Sequence, residues 1–144
     1  MKRHEALASL SREHHNSLIL AQLLKKDSPA YKGLPEDPAA KVIYASNMFR
    51  TDIQEHFRKE EAMLDMVRGW YEDIQHLALE IVMEHQALTV GFLSLSDADD
   101  PAEAMDDLGR KLELHIRKEE RVLFPMIQQR CSEEMLKEIH QLLL

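Results

Sequence analysis

Apolar residues recur along this chain at alternating steps of three and four, the seam of a helix packed lengthwise against neighbours. The first row reads Leu7, Leu10, His14, Ser17, Ala21, Leu24, and the second Val42, Ala45, Phe49, Ile53, His56, Glu60, Met63, Val67. The third reads Ile74, Ala78, Ile81, His85, Leu88, Phe92, Leu95, and the fourth Met105, Leu108, Leu112, His115, Glu119, Val122, Met126. Turn and capping residues separate the rows at Asp27-Ser28-Pro29 with Lys32-Gly33-Leu34-Pro35, at Ser96 to Pro101, and more softly at Arg68-Gly69-Trp70. The pattern predicts helices over 3–26, 37–67, 71–95 and 101–129, a local kink at Pro125, and a short tail helix from Ser132.

Short loops between long helices make sequential helices antiparallel neighbours. The expected fold is therefore all-α: an antiparallel up-down four-helix bundle with a short C-terminal tail helix, formed by residues 1–144 as a single domain. The tail, Ser132 to Leu144, fits either a cap on the bundle or a dimer contact. Composition agrees, since Leu, Ala, Glu, Lys, Met and Gln dominate and only four glycines and five prolines interrupt 144 residues.

Each apolar row is broken by a histidine, and two rows also by a glutamate. Residues four apart on a helix differ by only about 40° in direction and about 6 Å in height, so His56 with Glu60, and His115 with Glu119, can address one inner point. That spacing alone is weak, because His76 and Glu80 share it on what reads as a solvated face. The stronger signal is repetition. His56-Phe57-Arg58-Lys59-Glu60-Glu61 followed by Leu64 matches His115-Ile116-Arg117-Lys118-Glu119-Glu120 followed by Leu123, six of nine positions being identical. Glu13-His14 with Leu18 echoes Glu84-His85 with Leu88, which suggests two related hairpins each supplying half a site.

Burying four imidazoles and two carboxylates among apolar side chains costs several kcal/mol per uncompensated charge, and a cation compensates directly. Imidazole and carboxylate without thiolate suit iron, manganese, zinc or copper rather than calcium or magnesium. Six protein ligands exceed what one tetrahedral zinc uses. The candidate metal ligands are thus His14, His56, Glu60, His85, His115 and Glu119, with two ions bridged by the glutamates. Seam register favours His14 over His15 and Glu119 over Glu120; Glu61 and Glu120 lie about 140° round from their histidines and suit solvation or outer support better than ligation. Ferritin-like sites need Glu-x-x-His on two helices, and this chain has none.

A formal charge of −8, with no basic run interleaved with aromatics, argues against nucleic acid. The lone Cys131 rules out an internal disulfide and a thiolate cluster, and no apolar stretch is long enough to span a membrane. A start at Met1-Lys2-Arg3-His4 without a signal-peptide core makes a cytoplasmic protein the expectation.

In Glu13-His14, His56-x-x-x-Glu60-Glu61, Glu84-His85, His115-x-x-x-Glu119-Glu120 and Leu123-Phe124-Pro125, the chain resembles the hemerythrin family, in its bacterial form the HHE cation-binding domain, over residues 7 to 130. The resemblance implies two non-haem irons with carboxylate and oxo or hydroxo bridges, zinc or manganese being alternatives. It implies as partner dioxygen or another small diatomic ligand, engaged for sensing, carriage or iron handling. Oxygen-carrying members place two histidines one turn apart on the third helix, where this chain has Ile81 or Thr89 beside His85, and an aspartate where it has Glu120. A di-iron oxidase or peroxide-consuming enzyme and a metal-dependent protein-interaction module are the alternatives. No catalytic residue is legible, so binding rather than catalysis is the expectation.

Overall fold

The computed structural model describes residues 2–144 and is all-helical, with five long helices and no strand among the described residues. Helix α1 spans Glu5–Leu24; α2 runs over 38–68, α3 over Glu72–Ser94, α4 over 101–130 and α5 over Glu133–Leu143. Each lies within two residues of its predicted bounds. Local chemistry sets the starts. Asp37, Asp100 and Ser132 each accept a backbone N–H from the first turn of their helix, and Pro38 and Pro101 occupy first positions where no N–H is needed. No described helix is long and apolar enough to cross a membrane.

Contacts between α1 and α4 fall in number along one as they rise along the other: Arg3 meets Gln128, His14 meets Glu120, Gln22 meets Glu113 and Lys26 meets Glu103. The two helices touch most closely at Gly109, where an added Cβ would stand 2.7 Å from the Ala21 carbonyl oxygen. Helix α5 lays Leu136 and Ile139 into the core made by Leu7, Leu10, Met63, Val67, Ile74 and Phe124, so the tail closes one end of the bundle. A second apolar core, around Leu20, Phe49, Ile53, Phe92 and Leu112, fills the other end. Between them lies a layer of buried polar side chains.

All predicted seam positions of α1 and α3 are buried. In α4 the seam holds as far as Glu119 and then slips by one: Leu123 and Ile127 are fully buried, whereas Val122 is 46% exposed. The cause is a π turn over Glu119–Leu123, in which the Phe124 N–H bonds the Glu119 carbonyl five residues back. One residue more per turn rotates everything after it. Pro125, which cannot donate, follows directly, so the expected kink takes the form of this widened turn. A second π turn, Phe49–Ile53, precedes His56 in α2 without a proline.

Candidate metal centre

All six predicted residues converge in the polar layer. His14, His56, His85 and His115 are 1–5% exposed, and Glu60 and Glu119 are completely buried. His15 and His76 point to solvent. One side chain comes from each of α1 and α3 and a His–Glu pair from each of α2 and α4. His56 Nε2 lies 3.1 Å from Glu60 and His115 Nε2 3.3 Å from Glu119, each within its own helix. His14 Nε2 stands 3.0 Å from Glu119 and 3.3 Å from Glu60, and His85 Nε2 3.1 Å from Glu60 and 3.6 Å from Glu119.

These contacts are close without being aligned as hydrogen bonds. All four Nε2 atoms and all four oxygens of Glu60 and Glu119 lack a directed partner, although they are sealed from solvent. Orphaned buried polar atoms are costly and rare; eight together at one centre have the chemistry of a cation site. The atoms fall into two groups, His14 with His56 and His85 with His115, both completed by Glu60 and Glu119 and each within 4.8 Å. Two donors about 2.1 Å from one ion at a right angle are about 3 Å apart, close to most of the separations found here. The donor set therefore fits a pair of divalent or trivalent cations.

The outer side of each ring is occupied. His56 Nδ1 donates to Glu13 at 2.7 Å, His85 Nδ1 to Glu61 at 2.8 Å, His115 Nδ1 to Glu84 at 2.7 Å and His14 Nδ1 to Glu120 at 2.6 Å. A carboxylate only accepts, so each ring carries a proton on Nδ1, and a neutral ring presents a lone pair at Nε2. The four bonds close a circuit: each helix supplies the carboxylate that steadies the histidine of the next, α4 returning to α1. Ring stacking fixes two of the imidazoles further, Phe57 on His85 with centroids 4.0 Å apart and Phe124 on His14 at 5.6 Å.

Of the two roles the sequence left to Glu61 and Glu120, solvation or outer support, they take the second; the same role for Glu13 and Glu84 was not legible. Nor was that of the repeat lysines: Lys59 bonds Glu13 at 3.0 Å, and Lys118 bonds Glu84. Three residues beyond its histidine, each lysine faces the neighbouring helix. Arg58 and Arg117 form intrahelical ion pairs with Glu55 and Glu113.

The electrostatics reflect the same need for positive charge. Burial opposes protonation of His14, yet the carboxylates of Glu119, Glu120 and Glu60 push its pKa up to about 12. Against the same opposing burial, Glu60 and Glu13 lift His56 to about 9, and Glu119 and Glu60 lift His85 to about 10. The hydrogen bond from His56, with help from Lys59, draws Glu13 down to about 2. Without ions, the two central carboxylates gather protons onto the rings.

A family model described as the hemerythrin HHE cation binding domain matches residues 5–127. The chain belongs to that family. No curated protein and no solved structure matches it. Within this hemerythrin domain the buried His/Glu cluster brings together the donor atoms that a metal ion needs.

Proposed function

We propose that the hemerythrin domain holds two non-haem irons and binds dioxygen or a related diatomic molecule. The observation that carries this reading is the set of eight inward-facing donor atoms without partners, split into two groups that share Glu60 and Glu119. In this reading His14 and His56 hold one ion, His85 and His115 the other, and the two glutamates bridge them. The irons would supply reversible one-electron chemistry and positions for a small ligand. The chain's own residues hold the imidazoles in the right tautomer and keep bulk water out. Antiparallel up-down packing of α1 to α4 in one domain, capped by α5, accords with the opposed numbering of the α1 and α4 contacts.

Two histidines on each side make the protein environments of the two ions alike, whereas Ile81, fully buried in the apolar core, stands a turn from His85 and offers no donor. This symmetry fits sensing or transient binding of a small ligand. The test is metal analysis of protein purified in air, with its absorption spectrum before and after anaerobic reduction and on re-exposure to oxygen. About two irons per chain with near-ultraviolet bands that bleach and return support the reading. Absence of stoichiometric metal, or zinc alone, refutes it.

A further inference from the structure

Two surface clefts reach the polar layer from opposite sides, and they occupy equivalent positions in the two halves of the domain. One, of about 320 Å³, lies between α1 and α2; the other, of about 440 Å³, lies between α3 and α4. Numbering the halves so that His14 corresponds to His85 and His56 to His115 pairs all seven lining residues of the α3–α4 cleft with residues that line the other. Three lining residues keep their identity: Glu13 with Glu84, His56 with His115, and Lys59 with Lys118.

Four further pairs differ in one direction, while Met48 and Thr51 line the α1–α2 cleft without a counterpart in the other. Asn16 faces Ala87, Ser17 faces Leu88, Asp52 faces Lys111 and Glu55 faces Leu114. One cleft is polar and acidic, the other apolar and basic. The acids alone would mark nothing. Both clefts lead to a buried histidine with an unpartnered Nε2, but only the α1–α2 cleft places added carboxylates, Asp52 and Glu55, outside it, before His56, which is 5% exposed. Ser17, only 7% exposed, adds a hydroxyl to the cleft where its counterpart has the leucine side chain.

We propose that metal cations reach the centre through the α1–α2 cleft, drawn by Asp52 and Glu55 and handed inward past Glu13 to His56. The inference rests on the metal-binding reading of the same centre. A hydrated cation needs oxygen atoms to replace its water as it enters a low-dielectric interior, and a cleft of one charge sign raises its local concentration. The α3–α4 cleft is poorer in both: beyond Glu84, which Lys118 holds, Leu88 and Leu114 offer no oxygen, and Lys111 takes the place of Asp52.

The experiment is stopped-flow loading of metal-free full-length protein with cobalt(II), followed by its visible absorption, with final stoichiometry from metal analysis and helicity matched by circular dichroism before mixing. The variant Asp52→Lys/Glu55→Leu exchanges acidic-cleft residues for their counterparts. Glu134→Leu/Glu138→Lys makes an equal change of charge on exposed α5 positions and controls for the field of the whole molecule. Loading slowed on the order of ten-fold at low salt in the cleft variant alone, with the gap closing at high salt and stoichiometry intact, is expected. Equal rates in wild type and cleft variant at full stoichiometry, or equal slowing in both variants, overturn the route but leave the metal reading standing. Failure of the wild type to take up stoichiometric cobalt overturns both.

Discussion

Alanine at position 13 would remove the carboxylate that accepts the proton of His56 Nδ1 at 2.7 Å, without touching any atom of the inner eight. The His56 ring then loses the partner that fixes its tautomer and aim. Loss of such an outer partner costs about 10- to 100-fold in metal affinity, and exposure decides where in that range a residue falls. The Glu13 side chain is 39% exposed, so water takes over part of its bond; we expect a loss near 10-fold, about 1.4 kcal/mol. Glu120 is only 26% exposed, holds His14 at 2.6 Å and is itself held by Ser11 and Arg3. Glu120→Ala should therefore cost nearer 100-fold, about 2.7 kcal/mol. Both act on the ion shared by His14 and His56, while Glu84→Ala acts on the other. Competition titration against a chelator of known affinity, read as ions bound per chain, resolves one weakened step and one retained step in each single variant. A loss spread evenly over both steps, or Glu13→Ala costing more than Glu120→Ala, would refute the argument from burial and circuit geometry.

Gly109→Ala should destabilise the fold by about 1–3 kcal/mol in urea unfolding, because the new Cβ meets the Ala21 carbonyl oxygen at 2.7 Å and backbone cannot yield. Gly91→Ala should fall within about 1 kcal/mol of wild type, since its Cβ meets only the end of the Leu108 side chain at 2.8 Å and gains helix propensity. Ile139→Ala, at a fully buried tail position, should cost about 2–4 kcal/mol in the same assay, a cost absent if α5 merely rests on the surface. The Cys131 thiol is 8% exposed and burial raises its pKa, so the reactive thiolate is scarce near neutral pH. Its reaction with a thiol reagent should be slow in the native protein and fast in denaturant; rapid native labelling would contradict its placement.

The convergence of the six side chains was legible because a helix seam is a strict filter. A polar residue at a seam position must be buried, and His14, His56, Glu60, His85, His115 and Glu119 all kept that register. The slip after Glu119 was hidden by its neighbours. Val122, Leu123 and Phe124 are all apolar, so a step of three to Val122 and a step of four to Leu123 read equally well. In α2 the predicted step from Phe49 to Ile53 is already four, and the π turn there leaves the seam after it intact. The outer role of Glu13 and Glu84 was hidden for another reason. Adjacent to a seam histidine on their own helix, they serve the histidine of the next helix, and sequence order does not encode that pairing.

That crossed service explains why the repeat carries two glutamates and a lysine rather than one glutamate. Within the repeat, Glu60 and Glu119 face inward as candidate bridges, while Glu61 and Glu120 turn to the adjacent helix and grip His85 and His14. Lys59 and Lys118 secure the carboxylates sent by α1 and α3 to His56 and His115. Every helix thereby both gives and receives a carboxylate, so displacing one helix strains two histidines, which for α2 and α4 lie in different halves of the centre. The circuit closes because both halves carry the histidine, the lysine and the paired glutamates of the repeat, and the residues that differ between the two clefts, such as Asn16 and Ala87 or Asp52 and Lys111, lie outside it.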